Sequence, residues 1–79
     1  MTTQKLTSTE KKNITSAIDT DIKKGIYEMF PKLKEKLEFI RRKLYAGIYI
    51  INADDQLTPG EIRTLLENEY LDKEDYPEY

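Results

Sequence analysis

The sequence contains no cysteine, no histidine and only three glycines among its 79 residues. Without cysteine the chain has no disulfide, no thiolate metal ligand and no thiol nucleophile. Without histidine it lacks the side chain that most often transfers protons near neutral pH, and it has no glycine-rich phosphate-binding loop. These absences exclude most catalytic and zinc-site chemistry. We therefore predict a non-enzymatic protein with no catalytic residues, no bound metal and no cofactor.

A long hydrophobic run is also missing. The longest nearly uncharged stretch covers residues 44–53, about half of what a transmembrane helix needs. The opening residues, MTTQKLTSTEKKN, lack the apolar segment of a signal peptide. These features predict a cytoplasmic protein with no membrane among its partners. The frequent lysine and isoleucine residues suggest a bacterial or viral source.

Acidic and basic residues are unevenly distributed along the chain. Residues 1–53 carry eleven basic and six acidic side chains, whereas residues 54–79 carry two basic and nine acidic ones, for a net charge of −2. A basic half can contact phosphate, and an acidic end can cover that patch, contact a basic partner or imitate nucleic acid. The simpler interpretation is a solvated surface.

Hydrophobic residues recur at helical spacing in three segments, at about residues 9–30, 32–52 and 58–71. The first segment has an apolar stripe of Ile14, Ile18, Ile22, Ile26 and Met29. The second has a seam of Leu33, Leu37, Ile40, Leu44, Gly47 and Ile51. The third would bury Ile62, Leu65, Leu66 and Tyr70. We therefore predict an all-α three-helix bundle over residues 1–71, compact or dimeric, with a flexible, disordered acidic tail over residues 72–79.

Two stretches predict helix starts. Thr7 or Thr9 can cap the first helix. Thr7 with Glu10, and Thr58 with Glu61, have the spacing of a capping box, in which each side chain bonds to the other residue's backbone N–H. Pro59 suits the first helical position, where no N–H is needed. These pairs place the starts of the first and third helices.

Two boundaries stay open at the level of sequence. Pro31 separates the first two helices without obvious loop residues, so the chain either forms a hairpin or continues as one kinked helix that would have to dimerise to bury its seam. Residues 44–51, LYAGIYII, have the composition of a strand as well as a helix. We favour helix there, because no second segment offers a pairing strand.

The stretch NADDQLTPGEIRTLL, residues 52–66, resembles the later half of an EF-hand calcium loop and its exiting helix. In that frame Asn52, Asp54 and Glu61 stand at ligand positions. The first ligand position, however, holds Ile50, and Asp55 replaces the turn glycine. Too few oxygen ligands remain for calcium, so we interpret the stretch as a polar turn followed by a helix start.

Basic and aromatic residues mix in KLKEKLEFIRRK, residues 32–43, as they do in some nucleic-acid-binding segments. On a helix these charges spread around the axis and alternate with Glu35 and Glu38, and the third helix is acidic. A role with nucleic acid, by weak binding through the second helix or by acidic mimicry, is therefore only the second hypothesis for the function. A degenerate EF-hand-like calcium-loop protein is the third.

The second helix has more apolar residues than its seam requires. Either it is buried on all sides, or the surplus forms a surface for a larger protein or a second copy of the chain. We predict that the surplus is a partner-binding surface, which comprises Phe39, Arg42, Tyr45, Ala46, Tyr49 and Ile50. The predicted function is that of a small regulatory protein, either accessory or of the inhibitor type, that binds another protein.

Overall fold

The computed structural model describes residues 6–79 and contains three α-helices and one short 3₁₀ helix. The α-helices are α1 (Ser8–Lys23), α2 (Pro31–Tyr49) and α3 (Pro59–Glu67), and the 3₁₀ helix covers Lys73–Asp75. Residues 6–79 include no strand, and the ambiguous stretch after Leu44 is helical as far as Tyr49. The predicted all-α three-helix fold is confirmed.

Capping boxes begin α1 and α3, as predicted. The Thr7 N–H donates to Glu10 Oε1 at 2.8 Å, and the Glu10 N–H donates to Thr7 Oγ1 at 3.1 Å. At α3 the Thr58 N–H donates to Glu61 Oε1 at 2.8 Å, and the Glu61 N–H donates to Thr58 Oγ1 at 3.2 Å. Each box satisfies backbone donors that the first turn of a helix would leave unpaired.

The first helix ends at Lys23, about seven residues before the predicted end near residue 30. Gly25 has a φ of +76°, its N–H donates to the Ile22 carbonyl, and the Ile26 N–H donates to the Asp21 carbonyl. This pattern is a Schellman motif, which stops a helix and turns the chain. The expectation that no loop residue separates the two helices was wrong, because Gly25 provides the turn. The chain is a hairpin and not one kinked helix.

The main core lies between α1 and α2, with α3 packed on it. Its buried members are Ile14, Ile18, Tyr27, Leu37, Ile40, Leu44 and Leu65. The predicted stripes therefore hold in the middle of each helix and fail at the ends. Ile26, Met29 and Ile51 are exposed, because α1 and α2 both end before these residues.

The acidic tail packs on α3 through one side chain. Tyr76 is buried against Ile62 and Leu66, and the 3₁₀ helix that precedes it begins with the Asp72 carboxylate accepting from the Glu74 N–H at 3.0 Å. Tyr76 thus forms a small second core cluster beside the main one. The flexibility expected for residues 72–79 stays a prediction.

A second Schellman motif ends α3, and its left-handed position holds Glu69, with a φ of +65°. The Glu69 N–H donates to the Leu66 carbonyl and the Tyr70 N–H to the Leu65 carbonyl. A residue with a Cβ is strained in this conformation. We therefore expect Glu69→Gly to raise the free energy of unfolding by about 0.5–1 kcal/mol in urea titrations.

Gly25→Ala is the matched control for Glu69→Gly, because it places a Cβ at the equivalent position of α1 and should lower the free energy of unfolding by about 1 kcal/mol. A neutral or destabilising Glu69→Gly would contradict the strain that we assign to this turn.

Candidate functional site

Five of the six residues predicted to bind a partner lie on one side of α2, and the sixth, Ile50, is the C-cap residue that follows the helix. We call the six residues the outer face. They are Phe39, Arg42, Tyr45, Ala46, Tyr49 and Ile50. Five of them are exposed and Ala46 is half-buried. At about 100° per residue, this side of α2 points away from the buried Leu37, Ile40 and Leu44. The second helix is therefore not buried on all sides.

The apolar side chains of the outer face are unusually open to solvent. Phe39, Tyr45, Tyr49 and Ile50 are between 54 and 64% exposed. Two of the rings already contact each other, since the centroids of Tyr45 and Tyr49 lie 4.8 Å apart with the planes tilted by 50°. The Lys43 ammonium lies 5.7 Å from the centre of the Phe39 ring. The outer face is thus an exposed aromatic surface in which two of the rings contact each other.

Gly47 borders the outer face and admits a segment of the chain itself. A Cβ at residue 47 would lie 2.6 Å from the Cβ of Asp55, which belongs to the loop between α2 and α3. The three atoms closest to that position all belong to Asp55, so Gly47 provides room for the α2–α3 loop.

Two largely buried ion pairs hold that loop. The ammonium of Lys11 in α1 pairs with the Asp55 carboxylate, and the side chains are 11 and 15% exposed. The Lys43 ammonium pairs with Glu61 Oε1 at 2.9 Å and also donates to the Gln56 carbonyl at 2.9 Å. Burial raises the pKa of Glu61, but the hydrogen bond from the Thr58 backbone and the ammonium of Lys43 together lower it below its usual value.

Two acidic side chains of the calcium-like stretch are used in these contacts. Asp55 and Glu61 face ammonium groups, and Glu61 also caps α3. Asn52 has a φ of +68°, a turn conformation that asparagine tolerates well. Across residues 6–79, no group of three or more acidic side chains is arranged to hold a metal ion. The stretch contains a turn at Asn52 and the capped start of α3.

The cations proposed for nucleic-acid contact are only partly available. Lys43 is engaged with Glu61, whereas Lys32 and Lys36 line an open groove of about 530 Å³ between α2 and the start of α3. Glu35 and Glu61 line the same groove. Its charge is therefore mixed, which is unfavourable for a polyanion.

A tyrosine pair that we did not predict joins α1 to the end of α3. The Tyr70 hydroxyl donates to Asp21 Oδ2 at 2.6 Å and lies 2.6 Å from the Tyr27 hydroxyl. Because an ionised carboxylate only accepts, Tyr70 donates to Asp21 and Tyr27 donates to Tyr70. Burial, reinforced by these bonds, raises the pKa of Tyr70 well above its usual value. The helical spacing of the third segment had marked Tyr70 for burial, whereas Tyr27 lay outside the predicted apolar stripe of the first helix.

The turn between α1 and α2 exposes three large apolar side chains, and we call this set the hairpin tip. Ile26, Met29 and Phe30 are 51, 87 and 60% exposed. Sequence reasoning had placed Ile26 and Met29 in the buried stripe of the first helix. Their exposure follows from the end of α1 at Lys23.

The chain has no detected similarity to known proteins that would indicate a role for these residues. No protein-family model, curated protein or solved structure matches this chain. None of the helices in the described residues 6–79 is long and apolar enough to cross a membrane.

Proposed function

We propose that this is a small non-enzymatic regulatory or accessory protein that binds a larger protein through the outer face of α2. The exposure of Phe39, Tyr45, Tyr49 and Ile50 carries the proposal. Contiguous exposed apolar side chains commonly mark partner sites on small proteins.

The composition of the outer face supports binding. Tyrosine and arginine are enriched among residues that contribute most to binding energy, and Arg42 lies between the tyrosines and Phe39 along α2. Because the Tyr45 and Tyr49 rings already contact each other, they lose less side-chain freedom when a partner covers them. The core lies on the other side of α2, so the outer face can be changed without opening it.

A larger protein suits the outer face better than a second copy of this chain. One continuous helix through Pro31 would have needed a second copy to cover its apolar seam. In the hairpin the seam residues Leu37, Ile40 and Leu44 are already buried within one chain. Nucleic acid has less support, because Lys43 is paired internally and glutamates line the groove beside it. The cytoplasmic location and the bacterial or viral source stay predictions.

The test uses Tyr49→Glu and Ile50→Glu, each made singly, with Ser16→Glu as the matched control on an exposed position of α1. We expect all three variants to keep the helicity of the wild type in circular dichroism, since none of the three side chains is buried. In affinity capture from the native host followed by mass spectrometry, a specific partner should be lost from both outer-face variants and retained by Ser16→Glu.

Light scattering on the same proteins distinguishes a second copy from a different partner. A wild-type mass of one chain, together with the selective loss of a captured protein, supports the proposal. A wild-type dimer that the outer-face variants dissociate would assign this surface to self-association. If both outer-face variants lose helicity, or if capture is the same for all proteins, the proposal is wrong.

A further inference from the structure

We propose that the hairpin tip, Ile26, Met29 and Phe30, is a second interaction surface and that it docks on an anionic lipid surface. The three side chains are more than half exposed, and Met29 is almost fully so. They share no residue with the outer face, so this inference goes beyond the proposed function.

The tip is held in a defined shape by the residues beside its exposed side chains. Gly25 sets the turn through its left-handed backbone, and the Phe30 N–H donates to the Tyr27 carbonyl at 3.0 Å. The Tyr27 ring is buried in the main core, and its hydroxyl contacts Tyr70 at 2.6 Å. One side chain of the turn therefore anchors it while its neighbours project outward. Such an arrangement presents apolar groups without requiring them to become ordered on binding.

The sequence on both sides of these apolar groups is rich in lysine. Residues 22–36 contain five lysines and two glutamates. Within the described part of the chain, Lys24, Lys32 and Lys34 make no ion pair, and the pair between Lys23 and Asp19 is solvent-exposed and therefore weak. Lysines beside a membrane surface are attracted to anionic lipid headgroups.

The combination favours lipid over other polyanions. Apolar side chains at a turn, with lysines on both sides, can enter the boundary between headgroups and acyl chains while the ammonium groups stay at the headgroups. Nucleic acid would use the lysines but would have no use for exposed Ile26 and Met29. Our expectation that no membrane is among the partners relied on the lack of a long apolar run, which bears on spanning a bilayer and not on binding to its surface.

The experiment is sedimentation of the full chain with vesicles of phosphatidylglycerol or of phosphatidylcholine. We expect binding to phosphatidylglycerol that weakens with added salt, and little binding to phosphatidylcholine. The double variant Met29→Ser, Phe30→Ser should reduce the partition coefficient at least about tenfold. The matched control, Tyr45→Ser with Tyr49→Ser on the outer face, should leave vesicle binding unchanged, so that failure of this proposal is distinguishable from failure of the proposed function.

A fluorescent probe reports directly on the tip, because the sequence contains no tryptophan. When phosphatidylglycerol vesicles are added, the tryptophan emission of the Phe30→Trp variant should shift to the blue. The tryptophan emission of the Tyr49→Trp variant should not shift. Circular dichroism checks that every variant keeps its helices. The proposal is overturned if phosphatidylglycerol vesicles do not bind the chain, if the tip variant binds them as the wild type does, or if only Tyr49→Trp shifts. It is also overturned if the tip variant loses a captured protein and keeps vesicle binding.

Discussion

Gly47→Ala should lower the free energy of unfolding by about 2 kcal/mol, as overpacking in a tight contact commonly does. The new Cβ would lie 2.6 Å from the Cβ of Asp55, closer than carbon atoms approach without a shift. Asp55 is held in turn by the Lys11 ammonium, so the loop cannot withdraw without weakening that ion pair. The higher helix propensity of alanine, about 1 kcal/mol, offsets part of the cost. Urea titration followed by circular dichroism measures the change.

Gly60→Ala is the matched control for the glycine at residue 47. A Cβ at residue 60 would have Thr58 Oγ1 at 3.9 Å as its nearest neighbour, so the change should be neutral or slightly stabilising. In an Asp55→Gly background the cost of Gly47→Ala should shrink, because all three atoms closest to the new Cβ belong to Asp55. An equal cost in both backgrounds would show that the contact with Asp55 is not responsible.

Lys11→Met should also lower the free energy of unfolding by about 2 kcal/mol. Removing one partner of a fully buried ion pair costs more than this, but here both side chains keep some contact with solvent. Lys11 and Asp55 are 11 and 15% exposed, so water replaces the lost ammonium poorly. The methionine retains most of the apolar contact made by the lysine chain, so the measurement isolates the charge. Chemical denaturation gives the free energy of unfolding.

Lys23→Met is the matched control for the buried pair, because Lys23 pairs with Asp19 at 3.1 Å with side chains 77 and 42% exposed. Its cost should not exceed about 0.5 kcal/mol. Asp55→Asn alone should also destabilise, and the double variant with Lys11→Met should cost less than the sum of the single changes. If Lys11→Met costs no more than Lys23→Met, the buried pair does not hold the α2–α3 loop.

Changes of this size matter in a chain of 79 residues, because small domains bury only a modest share of their surface on folding. Their free energy of unfolding is therefore near the low end of the usual range, about 5 kcal/mol. Both variants act on the α2–α3 loop and leave the outer face and the hairpin tip unchanged. Binding measured on the folded fraction of Lys11→Met should therefore match the wild type.

Several features of the fold were accessible from sequence alone. The capping boxes at Thr7 and Thr58 were predicted from spacing, because their hydrogen bonds join residues three apart. The exposed outer face was predicted as a surplus over the seam of α2, although its role in binding stays a prediction. Its position followed from the repeat of the helix, which requires no knowledge of other segments.

The end of α1 was mispredicted for a reason that is visible in its residues. Ile26 and Met29 continue the helical spacing of the first stripe, and a single glycine within a helix costs only about 1 kcal/mol. The Schellman turn at Gly25 prevails because Tyr27 then enters the core and reaches Tyr70. Burying an aromatic ring contributes more than the helical turns that are lost.

The sequence by itself determined the helical class, two helix starts and the faces of the helices that form the core, because those features depend on neighbours within four residues. Only the tertiary structure decided that Lys11 is buried against Asp55, that Gly47 admits a loop, and that Met29 faces solvent. These outcomes depend on segments that are distant along the chain, and a local pattern carries no information about which of those segments meet.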